Sequence, residues 1–500
     1  MSSRTSLSPT RGTRAIGILL LFLLLAAACS SGGENGTTGD RPGNRPGAER
    51  PTPEGSDPSD QTPPVEPHLV DVPDEVFPGR GDPRIDVIHY DVEVKADPGH
   101  PEVRGRGRME LRALTEEPLS SFTLDLRGPE VHTVTIDGDE AVASLDEGQV
   151  TIEPAKPLAP HRTVEVIITW AGRPAPERFP SLGIPIGWSS DDHDGWFTLG
   201  QPDGTSTWVP VNDHPSDKAT WSVTLDTPAD VTGVANGQLT SSSTHDDRRR
   251  WVWEVSEPMA PHVLLAAVGD YRLIERAGPD GLPVTLAVHA SIDEAGLGGF
   301  DDIDPIIEFF TRTFGEYPAS AGGALVVPVD LNLALETQTR PTFGTDGVAR
   351  DHVWALAHEL AHEWFGNSVT PATWADLWLS ESFATYADWL WLDHRGAEDI
   401  DDLAAAAERS TGRVAVLDTE AAATFDHMVY VGGARALHGL RLQIGDDAFF
   451  DTLRTWFTEH RGTSASTDDF IELAERVSGE DLSAWVEDWL KSADQPDLPS

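Results

Sequence analysis

The sequence predicts a multidomain α+β chain, with an N-terminal antiparallel β domain over residues 70–273 and a mainly α-helical domain over residues 274–500. Three observations predict it. Up to about Leu273, short alternating apolar runs are split by turn residues, as at Val87–Val94, Gly107–Leu114, Val164–Trp170 and Trp251–Val255. Alternation of this kind marks half-buried strands. From Ala397 onward the apolar residues recur at helical spacing instead. Between the two textures lies H-E-x-x-H, His358 to His362, followed eighteen residues later by Glu381.

The N-terminus comes first. Arg4, Arg11 and Arg14 precede an apolar run from Ile16 to Leu25, then Ala26 to Ala28, then Cys29. This pattern predicts a signal peptide over residues 1–28. The string L-A-A-A-C resembles a bacterial lipobox, so a lipidated Cys29 that tethers the exported chain to the outer face of a membrane is expected, with plain secretion as the alternative. Cys29 is the only cysteine, which excludes an internal disulfide. Residues 29–69 are rich in Gly, Pro, Ser, Thr, Asp and Glu and read as a disordered tether.

Within the β domain, Asp137-Gly138 is a hairpin signal. Gln201 to Trp221 is dense in Pro, Asp and Asn and reads as a loop without metal-ligand spacing. In the second domain Ile303–Phe314 has helical spacing, and Ala324–Leu335 is strand-like, with Pro328 making it an edge or irregular strand. The later helical segments are Asp401–Ala415, Gly433–Leu442, Asp447–Glu459, Thr467–Ser478 and Leu482–Leu490. Trp364, Trp374, Trp378, Trp389 and Trp391 crowd the H-E-x-x-H region and read as core packing.

Charge excludes one class of partner. The chain carries 83 Asp plus Glu against 36 Lys plus Arg, a formal net charge of -47, and has no basic cluster in its body. Such a surface repels phosphate backbones, so nucleic acid is not an expected partner.

The H-E-x-x-H stretch points to chemistry. Residues four apart lie one turn above each other on a helix, so His358 and His362 aim at one point, the spacing of two zinc ligands. Glu359 lies about 100° round from His358 and is placed to be a base without taking a ligand position. Glu381, on a second helix, supplies a third ligand and leaves a fourth position open. Asp388 lies seven residues after Glu381, two turns along the same face, where it can orient a zinc histidine.

HELAHEWFGNSVTPATWADLWLSESFATY resembles the zinc-binding signature of the M1 family of zinc aminopeptidases, which are gluzincins. The resemblance extends in order through NDHPSDKAT, VANGQL, PMAPHVLLAAVGDY, ALETQT, VYVGGARALHGLR and IGDDAFF, from about Asp86 to Leu498. It implies a thermolysin-like catalytic domain, one zinc ion per chain held by His358, His362 and Glu381, and peptide substrates. It also implies that Glu359 activates water and passes the proton to the departing amine. The family's Y-x-K-G-A motif falls on Tyr430 to Ala434, which gives Tyr430 the role of stabilising the tetrahedral intermediate. The G-A-M-E-N motif falls on Leu333 to Thr337, making Glu336 the anchor for a free N-terminal amine. Gln201 stands where many relatives carry a second acid. The departures are Gln201, Thr337, Gly432 for lysine, and Ser380 and Ser382 beside the ligand glutamate. The implied activity is removal of N-terminal residues from peptides. The alternatives are a metallopeptidase that needs no free N-terminus and a catalytically weak, peptide-binding surface lipoprotein.

Overall fold

Eight strands build the largest sheet of the computed structural model, which describes residues 74–498 apart from 179–183, 192, 194, 349–352, 409–413 and 419–423. Their spatial order is Gln238–His245, Arg248–Met259, Ala219–Pro228, Ile85–Lys95, Val103–Ala113, Thr163–Gly172, Glu130–Ile136 and Asp139–Glu140. Neighbours are antiparallel except Ile85–Lys95 and Ala219–Pro228, which run parallel. All four alternating runs named above lie in this sheet. Asp137 and Gly138 have φ of 50° and 86°, the positive values that a two-residue hairpin turn requires. Smaller sheets of five and three strands complete the β domain. Its core includes Tyr90 stacked on Trp221 with ring centres 4.0 Å apart.

The second half is built on a five-stranded sheet in the order Tyr271–Ala277, Pro283–His289, Gly322–Val326, Thr342–Phe343 and Ala334–Leu335. The strand expected over residues 324–335 is therefore two strands. Gly322–Val326 is interior to the sheet and stops before Pro328, while Ala334–Leu335 is the edge. Proline cannot donate to a ladder, so the interior strand ends where it must. The alternation of this strand ties the two halves together. Ala324 and Val326 face the helical core, whereas Leu325 and Val327 enter the core of the β domain.

The helices are α1 (Ile303–Phe314), α2 (Val353–Ala361), α3 (Trp378–His394), α4 (Ile400–Glu408), α5 (Gly433–Ile444), α6 (Asp446–His460) and α7 (Thr467–Ser478). In α1 the buried residues are Ile303, Ile306, Ile307, Phe310 and Phe314, the stripe of an amphipathic helix. The five tryptophans of the H-E-x-x-H region are all buried in the helical core. Two expectations change. α4 ends at Glu408, and residues 409–413 lie outside the described set. The helix expected over 482–490 is a short turn, Ser483–Trp485, that passes into a π turn, Val486–Leu490. A second π turn, Met428–Gly432, precedes α5.

The membrane placement expected through Cys29 is corrected here. Among the described residues no helix is long and apolar enough to cross a membrane. A span needs about 20 apolar residues, whereas α3 has 17 and carries Glu381, Asp388 and Asp393. Cys29 is the only cysteine and lies, with the expected signal peptide and tether, outside the described residues.

Candidate active site

α2 carries His358, the turn that follows its last residue carries His362 one turn further on, with His362 N donating to His358 O at 3.3 Å, and α3 crosses to bring in Glu381. The ligand atoms of the three residues lie within 4.8 Å of one another. His358 Nε2 and His362 Nε2 are 3.1 Å apart, and each is 3.4 Å from Glu381 Oε2. Two further buried carboxylates, Glu336 and Glu359, crowd the same point. Burial disfavours charge on His362, but the carboxylates of Glu381, Glu336 and Glu359 outweigh it and lift the imidazole to about 10. Glu381 shows the converse. Burial would raise it, and His362 and His358 pull it down to about 2. A cluster that holds positive charge this strongly fits a cation, and two imidazole nitrogens with one carboxylate oxygen are the donor set of a zinc site with an open position. His358, His362 and Glu381 form that site.

The outer contacts of His362 fix its ring. Its Nδ1 lies 3.1 Å from Phe365 O and 3.0 Å from Ser380 Oγ. Donation from Nδ1 to the carbonyl leaves the Nε2 lone pair for the metal. Gly366 has φ +121°, and a Cβ there would lie 2.3 Å from Ser380 Oγ and 2.9 Å from His362 Nδ1, so the tight turn after α2 requires glycine. Ser380, noticed in the sequence only as a departure, thus touches a ligand. Asp388 is buried further along α3, and burial pushes its carboxyl well above the usual range. Its Oδ1 has no hydrogen-bond partner among the described residues.

Glu359 is 5% exposed, and burial pushes its carboxyl well up, with His362 opposing and Glu336 and Glu381 adding to the rise. Tyr430 sits in the π turn before α5. Its ring is stacked beside His358 at 6.3 Å, and the carboxylates of Glu381, Glu336 and Glu359 act on its hydroxyl. Burial and these carboxylates hold the phenol well above its ordinary value.

Glu336 follows directly on the edge strand Ala334–Leu335. Its backbone carbonyl accepts from Asn367 Nδ2 at 2.8 Å, which fastens the strand end to the turn after α2. Burial and Glu381 raise its carboxyl to about 7 against the pull of His362. Gln201 arrives from the β domain, 135 residues earlier in the chain. Its Nε2 donates to Glu336 Oε1 and lies 3.4 Å from Glu381 Oε1. One amide therefore joins the residue read as an amine anchor to a zinc ligand.

The loop that delivers Gln201 is built from buried polar contacts. Arg80 Nε meets Asp203 Oδ2 at 2.8 Å and Arg127 Nη2 meets Asp203 Oδ1 at 2.9 Å. Asp213 and Asp125 are buried beside them, and burial together with Asp203 and Asp125 raises the Asp213 carboxyl to about 8. Lys218 Nζ donates to Asn367 O and Ser368 O, each at 2.7 Å, and so ties this loop to the turn after α2. Sequence reasoning missed Asn367 and Lys218. Lys218 did carry a signal, being one of only four lysines in the chain.

Two family models match the chain. The peptidase M1 N-terminal domain covers residues 87–262 and the peptidase family M1 domain covers residues 339–489. The M1 zinc metallopeptidase of Deinococcus radiodurans is 31% identical with a TM-score of 0.79, covering 85% of this chain and 98% of that one. A structure of a mutant of that enzyme bound to a Tyr-Ser-Ala substrate is 30% identical with a TM-score of 0.79. Aminopeptidase N of Streptomyces lividans is 28% identical over 413 residues, 74% of this chain and 46% of that protein. Aminopeptidase A of Gloydius brevicauda is 25% identical over 330 residues, 60% of this chain and 34% of that protein. The chain thus spans between a third and a half of the length of these curated relatives, yet nearly all of the Deinococcus enzyme, and on that likeness together with the His358, His362 and Glu381 cluster it belongs to peptidase family M1.

Proposed function

We propose that this protein is a zinc-dependent aminopeptidase, with Glu359 as general base and Glu336 as the group that receives the substrate's free amine. His358, His362 and Glu381 would hold the zinc ion, which when bound would supply Lewis acidity toward a peptide carbonyl and toward water. Glu359, whose carboxyl is raised by burial, takes a proton from that water and returns it to the departing amine. As negative charge gathers on the former carbonyl oxygen, the Tyr430 hydroxyl donates to it. The edge strand Ala334–Leu335 offers backbone groups to an extended peptide.

The observation that carries this reading is the contact of Gln201 with both Glu336 and Glu381. It puts the Glu336 carboxylate one amide away from a zinc ligand, so an ammonium received by Glu336 would lie beside the metal site. A second reading has its own observation. Gln201 brings no charge and already donates to Glu336, which favours a metallopeptidase indifferent to the N-terminus. A peptide and its N-acetylated form separate the two. Preference for the free form, lost in Glu336→Gln, supports the amine anchor, and equal cleavage by the wild type supports the second reading.

A further inference from the structure

The π turn that carries Tyr430 is held from two sides. On one side Ser382, next to the ligand Glu381 on α3, donates its hydroxyl to Val429 O at 2.5 Å. The approach is so close that a Cβ on Gly433 would lie 1.8 Å from Ser382 Oγ. On the other side Gln495, in the tail beyond the last helical turn, donates its amide to Gly432 O at 2.9 Å and to Trp489 O at 2.8 Å. Its own carbonyl accepts from Arg435 Nη1 at 3.3 Å, and Arg435 Nη2 donates to Pro496 O at 2.7 Å. Arg435 is buried, with its guanidinium carbon 5.0 Å from the ring centre of Trp489.

The carbonyls on either side of Tyr430, at 429 and 432, are thus each held by a side chain from a different element. A π turn departs from the regular helical ladder, so its geometry depends on such outside partners. The position of the phenol matters, because a reacting group displaced by about 1 Å can cost on the order of a hundredfold in rate.

We propose that Gln495 is a positioning residue for Tyr430, fixing the π turn from the tail side as Ser382 fixes it from the zinc helix. The proposal rests on the role given to Tyr430 above. Gln495 touches no substrate and acts through the backbone of residues 430–432.

The test uses the full-length, zinc-loaded protein with Tyr430→Phe, Gln495→Ala, the double variant, and Gln495→Glu. The last keeps an acceptor for Arg435 and removes the donor to Gly432 O, so it separates the hydrogen bond from the packing of the tail. The expected result is a fall in kcat of about tenfold for both Gln495 variants, with KM and zinc content unchanged and no further fall when Gln495→Ala is added to Tyr430→Phe. A wild-type kcat in Gln495→Glu overturns the proposal, as does an equal fall in the Tyr430→Phe background, since either shows that Gln495 does not act through the phenol. An unchanged kcat in Tyr430→Phe alone removes the role of Tyr430 itself, a failure distinguishable from the others because it appears before Gln495 is touched.

Discussion

The active site joins two regions that hold their polar residues in different ways. α2, the turn that continues it and α3 set His358, His362 and Glu381 by periodicity, since His362 N still bonds back to His358 O and each ligand falls at helical spacing once the two elements cross. The loop from Gln201 to Lys218 has no period. It holds Gln201 by a chain of individual contacts, Arg80 and Arg127 on Asp203, Ser206 N on Asp213, and Thr205 Oγ1 on Pro261 O. A helix tolerates change at most positions between its ligands, whereas each link of such a loop is needed by the next.

Removing the metal acts on the helical region alone and has the largest expected effect. A chelator should abolish peptide hydrolysis and lower the melting temperature, because a ligand bound only to the folded state stabilises it. Added zinc should restore both, and activity that persists at zero zinc by metal analysis would sink the assignment of the site. Next, Glu359→Gln should lower kcat on the order of a thousandfold while zinc stoichiometry stays at one, since Glu359 is not a ligand.

Glu336→Gln probes the place where the regions meet. Losing one charge-assisted hydrogen bond of about 1.5–3 kcal/mol should raise KM for free peptides by roughly ten- to a hundredfold and leave N-acetylated peptides unaffected. A matched rise for both would mean that Glu336 supports the cleft without reading the amine.

The smallest effect concerns the loop itself. The folded state holds a proton on Asp213 up to about pH 8, whereas the unfolded chain releases it near its ordinary value of 3.8. Stability from this group is therefore complete below about pH 4 and is lost as pH rises through about 8. Asp213→Asn should flatten that part of the pH dependence of the urea midpoint, and a slope identical to wild type would show that the carboxyl is not the source.

The same contrast explains what could be read in the chain. The zinc ligands were legible because four-residue spacing on a helix is a geometric statement in itself. α1 and α7 were legible with their ends because apolar residues at helical spacing mark them locally, and in the structure a capping box of Ser466 and Asp469 starts α7. The π turns had no such mark, because what bends the chain at 428–432 includes Ser382 from α3 and Gln495 from the tail. Gln201 was found by resemblance, but its bond to Glu336 spans 135 residues and depends on how two domains meet. Pro328 correctly signalled irregularity, but it could not say that the expected strand would divide into an interior strand and an edge.

The scarcity of lysine gives Lys218 a use that its carbonyl partners, Asn367 O and Ser368 O, do not suggest. Lys95, Lys156 and Lys491 are exposed, whereas Lys218 is 4% exposed at the seam between the β domain and the turn after α2. An amine-directed reagent should tag the first three at once and reach Lys218 only when the domains part. The rate of that single slow modification, followed by peptide mapping, is a clock for opening of the cleft that requires no engineered probe.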